Sequence, residues 1–281
     1  MRCITLLPDL PMPPVPIAPV SCIVIEGVDA RRFAQMQFAG DVRALSPGHW
    51  QWNAWLDAQG RVAALMHLAD PGDGRLLVVL RGGDAASVRN GLARYLLRAQ
   101  ACLTTRTLIA YADAALTSGR TETDGMECLL GYGERSLRLG LGQTDAPPVT
   151  ANPATSNSWR LADIRAGWPT LPSGEAGFLP PALGLERLGA ISFDKGCYPG
   201  QEIAARLHYR GGHKLRLHHL HGSTSLPLGT IREAGASGSI DVLDSVRSDF
   251  GTESLVVAHR TDSNRINILS NTYDVISAFS A

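Results

Sequence analysis

Helical periodicity disappears from this chain at Gly211, and that change limits what the chain can fold into. Downstream, His213–His221, Thr230–Glu233, Ser239–Leu243, Leu255–Arg260 and Asn264–Leu269 are short apolar runs separated by Gly, Ser and Asp. They predict a small all-β barrel or sandwich of about 70 residues. Upstream, strand-like and helix-like stretches alternate. Cys22–Glu26, Trp50–Asp57, Arg61–Ala69, Leu76–Leu80 and Cys102–Tyr111 read as strands. Asp29 is placed to cap a helix with Phe33, Met36 and Gln37 on one face. Gly82-Gly83-Asp84 opens a second helix to about Arg98, with Val88, Leu92, Tyr95 and Leu96 inward. This alternation indicates α/β layers.

Two further strands are expected near Glu127–Tyr132 and Ser136–Gly140, and a short helix at Pro181–Leu188. Thr144–Ser158 reads as a low-complexity loop joining lobes, with order resuming at Trp159–Ala166. The 281 residues are enough for two or three domains. Their 44% apolar content can offset the entropy of ordering.

Charge and patterning exclude several classes. Basic and acidic residues balance at 26 each, so no overall basic field draws in nucleic acid, and direct tRNA binding is doubtful. No run of about 18 apolar residues suits a membrane helix. Six prolines between Pro8 and Pro19, with Asp9, break up what would otherwise resemble a secretory signal. A loose tail and a cytoplasmic protein are expected. The five cysteines (Cys3, Cys22, Cys102, Cys128, Cys197) are odd in number and dispersed, as for reduced thiols. Cys22, Cys102 and Cys128 sit in apolar runs and are expected buried. No metal site is expected. His219 and His221 of the His218-His219-Leu220-His221 run share a strand face, read as solvated.

Asp194–Glu202 (DKGCYPGQE) carries the chemistry. Gly196, Pro199 and Gly200 keep it out of a helix interior or central strand, so it is a shaped loop. Cys197 lies two residues from Lys195 and just before a short helix from Gln201. A nearby cation and a helix N-terminus both favour thiolate over thiol. Twenty-four of the 26 basic residues are Arg, so Lys195 is an exception, a compact point charge. His208 and His213 flank the following Tyr209–Gly212.

The stretch Phe178–Arg206 (FLPPALGLERLGAISFDKGCYPGQEIAAR) resembles the signature of the YgfZ family of folate-binding proteins, relatives of the glycine-cleavage T-protein. Lys195, Gly196, Cys197, Tyr198, Gly200, Gln201 and Glu202 meet its core pattern in full. Weaker similarity covers Gly27–Val42, Trp55–Val62 and Trp159–Pro169, while Gly184 stands where an Asn is usual. The resemblance implies an α+β, three-lobed fold: two α/β lobes around a central opening and a C-terminal β-barrel. With it the chain divides into a proline-rich tail (1–20), an N-terminal lobe (21–115), a middle lobe with the loop (116–210) and the barrel (211–281).

The resemblance also implies function. It points to a protein that binds tetrahydrofolate or another reduced folate and supports iron–sulfur cluster assembly or repair, and through it tRNA thiolation. Iron–sulfur enzymes would be its clients. Cys197 and Lys195 would carry the chemistry; Trp159, Tyr198, Gln201 and Glu202 would bind folate, with the indole face stacking on a pterin. The alternative is a folate-dependent aminomethyl transferase. T-protein carries an acidic pair where Ala63, Ala64 and Leu65 stand here, and a Glu where Arg165 precedes Ala166-Gly167. Alanine and leucine transfer no proton, so glycine-cleavage chemistry is not expected.

Overall fold

The computed structural model describes residues 14–141, 150–172, 177–232, 239–259 and 263–279; Cys3 lies outside them. In chain order the elements are β1 (Val15–Pro16), β2 (Val20–Glu26), α1 (Ala30–Gln37), β3 (His49–Leu56), β4 (Val62–Asp70), β5 (Leu76–Leu80), α2 (Ala85–Ala93), β6 (Cys102–Leu108), β7 (Ala110–Asp113), β8 (Thr121–Thr123), β9 (Glu127–Gly131) and β10 (Ser136–Gly140). Then follow α3 (Pro153–Ala166), α4 (Gln201–Arg210), β11 (Leu215–Gly222), β12 (Gly229–Arg232), β13 (Ser239–Ser248), β14 (Gly251–His259), β15 (Arg265–Ile268) and β16 (Asn271–Phe279).

The strands form three antiparallel sheets, ordered β3-β4-β5-β2-β6, β1-β7-β10-β9-β8 and β12-β13-β14-β11-β16-β15. The first buries both faces. One packs α1 and α2 through Phe33, Ala34, Val88 and Leu92. The other joins a core shared with the second sheet and α3. β5, five consecutive buried apolar residues, runs through its middle; two-sided burial favours unbroken apolar runs over alternation.

Several expectations change. The tail is not loose at its end: Val15 and Pro16 pair with Ala112 and Tyr111, adding an edge to the second sheet. That sheet also takes β7, so it crosses the boundary expected at 115. Asp29 holds the N-cap position of α1, but its side chain makes no capping bond; the carboxylate accepts from the Gln100 amide at 2.8 Å instead. Met36 is exposed, with Ala30 and Ala34 in the buried stripe instead. α2 stops at Ala93, leaving Tyr95 half-exposed. Pro181–Leu188 gives only a 3-10 turn at Pro180–Leu183.

The loop expected up to Ser158 is shorter, because α3 begins at Pro153. Asn152 caps it by accepting the Thr155 amide, proline suits its first position, and Gly167 closes it at φ 64°. The C-terminal part is not a closed barrel. It is an open sheet that curls as a half-barrel, with β12 and β15 as edges. Bulges between His219 and Leu220 and between Val242 and Asp244 bend it. β16 is not among the expected strands, because its exposed alternate residues dilute the apolar signal.

Two glycines position the cysteine loop. Gly200 has φ 74°, and a Cβ there would lie 2.4 Å from the Asp57 carbonyl oxygen. Gly60, in the β3–β4 turn, has φ 73°, and its Cβ would meet Ile203 of α4 at 2.8 Å. The start of α4 therefore docks backbone-to-backbone on the β3–β4 hairpin. Gly200→Ala is expected to lower unfolding stability by about 1–3 kcal/mol, from strain plus displacement of the hairpin. A urea titration showing an unchanged midpoint would contradict this docking.

Candidate functional site

α3 builds the site. Asp163 and Trp159, four residues apart, share one face of this helix and line a cavity of about 320 Å³. That volume lies at the lower end of the range usual for small-molecule sites, about 300–1,000 Å³. Asp163 is buried and accepts from two guanidinium groups of different sheets. Arg81, just past β5, donates at 2.8 Å; Arg135, in the β9–β10 turn, donates to the other oxygen. Arg135 also donates to the Trp159 carbonyl at 2.9 Å and lies over its indole ring at 4.1 Å. A cation over the ring face is attracted by the ring quadrupole, so one indole face is held and the ring is fixed at the cavity wall.

Behind this wall is an aromatic cluster. Trp50 and Trp52, on one face of β3, flank His67 of β4 with ring centroids at 4.5 and 4.3 Å. Trp168 packs on Tyr132 at 5.2 Å, and Tyr132 on Trp159 at 5.6 Å. His67 is fully buried and lines the cavity. Its Nδ1 lies 2.8 Å from the Tyr132 hydroxyl. Burial, with the nearby Arg81 and Arg135 charges, holds the His67 pKa well below its usual value. Burial likewise raises that of Tyr132. Both are therefore neutral near pH 7. Val79, Leu80 and Leu137 complete the apolar lining, and Ile17–Ser21 close one side.

The cysteine loop lies apart. Among the described residues, none from Asp194 to Glu202 lines this cavity. Cys197 is exposed. Lys195 is half-buried and caps the end of α1, donating to the carbonyls of Gln35 (2.7 Å), Phe38 (2.6 Å) and Gly40 (3.0 Å). Three acceptors engage all three ammonium hydrogens, so Lys195 acts first as a staple between loop and helix. Burial pulls its pKa down to about 8. Tyr198 is buried and donates to the Ser192 carbonyl at 3.1 Å, which makes it a support for the loop. Gln201 and Glu202 open α4.

Other expectations resolve as follows. Cys22 and Cys128 are buried, and burial pushes their pKa values up to about 12, but Cys102 is exposed at a strand start. The histidine run is not a solvated face: His218 and His219 are buried. His219 Nε2 lies 2.9 Å from Glu253, which Arg165 of α3 also holds, Nε donating at 2.9 Å. His208 pairs with Glu186 at 2.8 Å. No cluster of three metal-ligating side chains occurs among the described residues. Among the same residues no helix is long and apolar enough to cross a membrane.

The resemblance named Trp159, which lines this cavity, but the sequence pointed to none of Arg81, Arg135, Asp163, Tyr132 and His67. No local motif joins residues that lie up to about 100 positions apart.

No family model matches the chain. A solved structure does: that of glycine cleavage system aminomethyltransferase T from Bartonella henselae. The two share a TM-score of 0.71 at 14% identity, over 94% of this chain and 84% of the other. This chain has the aminomethyltransferase T fold. At that identity the likeness concerns backbone architecture alone.

Two outcomes are expected. Asp163→Ala leaves two guanidinium groups without their shared anion and should cost about 3–5 kcal/mol of unfolding stability, read from denaturant titration. Asp163→Ala with wild-type stability would show that the two ion pairs do not hold α3. Second, the native state disfavours protons on buried His67 and His218, whose pKa values are both lowered. Unfolding releases that restraint, so the contribution of these two histidines to stability should be constant above the free-imidazole pKa of about 6.5 and fall below it. The slope is up to about 1.4 kcal/mol per pH unit for each histidine, measurable as a drop in Tm between pH 7 and 5.

Proposed function

We propose that the protein binds a reduced folate, such as tetrahydrofolate, in the cavity beside Trp159, and that the exposed Cys197 serves iron–sulfur cluster assembly or repair. tRNA thiolation then depends on the protein through its iron–sulfur client enzymes, and the site of action is the cytoplasm. In this reading the three sheets are the three lobes around a central opening of the YgfZ family, which the sequence resembles. One observation carries it. α3 fixes an indole at the wall of a cavity in a chain with the aminomethyltransferase T fold.

The lining fits such a ligand. A flat heteroaromatic ring needs an aromatic or apolar wall and a few directional polar groups. Trp159, Val79 and Leu80 supply the first, and Arg81, Asp163 and the buried His67 the second. When bound, a reduced folate supplies a carrier for one-carbon groups. Tyr198, Gln201 and Glu202, although named by the resemblance, support this reading only as parts of the loop. Lys195 and Tyr198 hold the loop in one shape, so Cys197 is presented at the surface, where a protein client can reach it.

The aminomethyl transferase reading has less support. Ala63 lines a second cavity and Ala64 is buried, so no carboxylate follows Val62. Arg165 forms an ion pair with Glu253. Proton transfer at a folate nitrogen would have to be done by groups other than these.

Calorimetric titration with tetrahydrofolate tests the cavity. Binding is expected, and Trp159→Ala should weaken it at least about tenfold by removing the stacking wall. Cys197→Ala should bind folate normally yet fail to restore iron–sulfur enzyme activity in a deletion strain. Full rescue by that variant would refute the role of the thiol; absence of folate binding by the wild type would refute the cavity assignment.

A further inference from the structure

We propose that His67 sets which pteridines the cavity accepts. It presents a fixed N–H donor to a ring carbonyl, so the cavity takes 4-oxo pteridines and rejects their 4-amino counterparts. The inference rests on the folate reading above and deepens it.

The Tyr132 hydroxyl is buried and, among the described residues, has one hydrogen-bond partner, Nδ1 of His67 at 2.8 Å. A buried hydroxyl hydrogen left without an acceptor is costly. The hydroxyl therefore donates to Nδ1, which requires the tautomer with hydrogen on Nε2. The opposite tautomer would have Nδ1–H donate to the phenol oxygen and strand the phenol hydrogen. Nε2 is itself buried and has no partner among the described residues. His67 thus carries one uncommitted donor on a ring that belongs to the cavity lining.

Two features keep that donor constant. The imidazole does not gain a second proton, because burial and the Arg81 and Arg135 charges oppose it. The ring cannot readily turn, since Trp50, Trp52 and Tyr132 pack around it with centroids at 4.5, 4.3 and 5.2 Å. Arg81 and Arg135 around Asp163 leave the surroundings with one net positive charge, which also favours an electron-rich ligand oxygen.

A carbonyl oxygen at Nε2–H completes the hydrogen bond. An exocyclic amino group at the same place sets donor against donor. Switching the tautomer to accept from it would strand the Tyr132 hydrogen. Sites built around a buried hydrogen bond discriminate strongly against ligands that cannot complete it.

The test is calorimetric titration of the full chain with 5-formyltetrahydrofolate and with its 4-amino-4-deoxy analogue. The wild type should prefer the oxo compound at least about tenfold. Tyr132→Phe keeps the ring and removes the group that fixes the tautomer, so its preference should fall to within about twofold. His67→Leu should lose affinity for the oxo compound alone. Nitrogen-15 spectra of the imidazole should show the Nε2–H tautomer in the free protein and a shifted Nε2–H resonance with the oxo ligand. If the wild type binds both compounds equally, or Tyr132→Phe keeps the preference, or His67 carries its hydrogen on Nδ1, the His67 inference falls and the folate reading stands. If the wild type binds neither compound, the folate reading falls and takes this inference with it.

Discussion

Asp163 takes one guanidinium from the first sheet and one from the second, and the cavity is arranged around that meeting. A buried carboxylate between two partly buried guanidinium groups is costly to desolvate. The carboxylate accepts from both arginines, which return part of that cost as charge-assisted hydrogen bonds. The result is directional as well as attractive. It sets the rotation of α3, and that rotation decides where Trp159, one turn earlier on the same face, is placed. Two other arginines of α3 reach the third sheet, Arg160 on Asp244 and Arg165 on Glu253. A single 14-residue helix thus ties all three sheets together through opposite-charge pairs.

The cysteine loop depends on a different element. Gly200 and Ile203 rest on the β3–β4 turn at Gly60, and β4 then runs on to His67 at the cavity. From Val62 to His67 the strand covers about 17 Å. Cys197's loop therefore rests at the start of a strand that is buried along nearly its whole length, and the His67 wall lies further along the same strand. Exposure at the first place suits a thiol that meets macromolecular clients, and enclosure at the second suits a small ring system. The two halves of the proposed function rest on separate structural supports joined by one stiff connection.

Much of this fold was legible in the sequence where local pattern and tertiary burial agree. Leu76–Leu80 and Ser136–Gly140 are strands at the positions that apolar runs between glycines indicate. The loss of helical periodicity after Gly211 marks the third sheet. Reading failed where a local signal was ambiguous or outweighed. Asn152-Pro153 is a helix start, but it sits in a stretch whose composition suits a loop, and only the packing of α3 on three sheets decides between them. Asp29 has a capping side chain but finds the Gln100 amide, a tertiary partner invisible to a window of sequence. For the site, the loop and Trp159 were visible through resemblance. The charges and the histidine behind them were not, since Arg81, Arg135 and Asp163 come together only on folding.

The rarity of lysine gains a physical meaning at Lys195. Elsewhere the chain uses arginine as a planar fork: Arg165 on Glu253 and Arg160 on Asp244. Such a fork matches the parallel oxygens of a carboxylate. At the end of α1 the acceptors are three backbone carbonyls converging on one point, and a tetrahedral ammonium can satisfy all three. The end of a helix is also its negative pole, which favours the cation there. With its hydrogens committed in this way, Lys195 orders the backbone that leads to Cys197. Any influence it has on the thiol acts through the shape of the loop and through charge at a distance, not through a direct hydrogen bond.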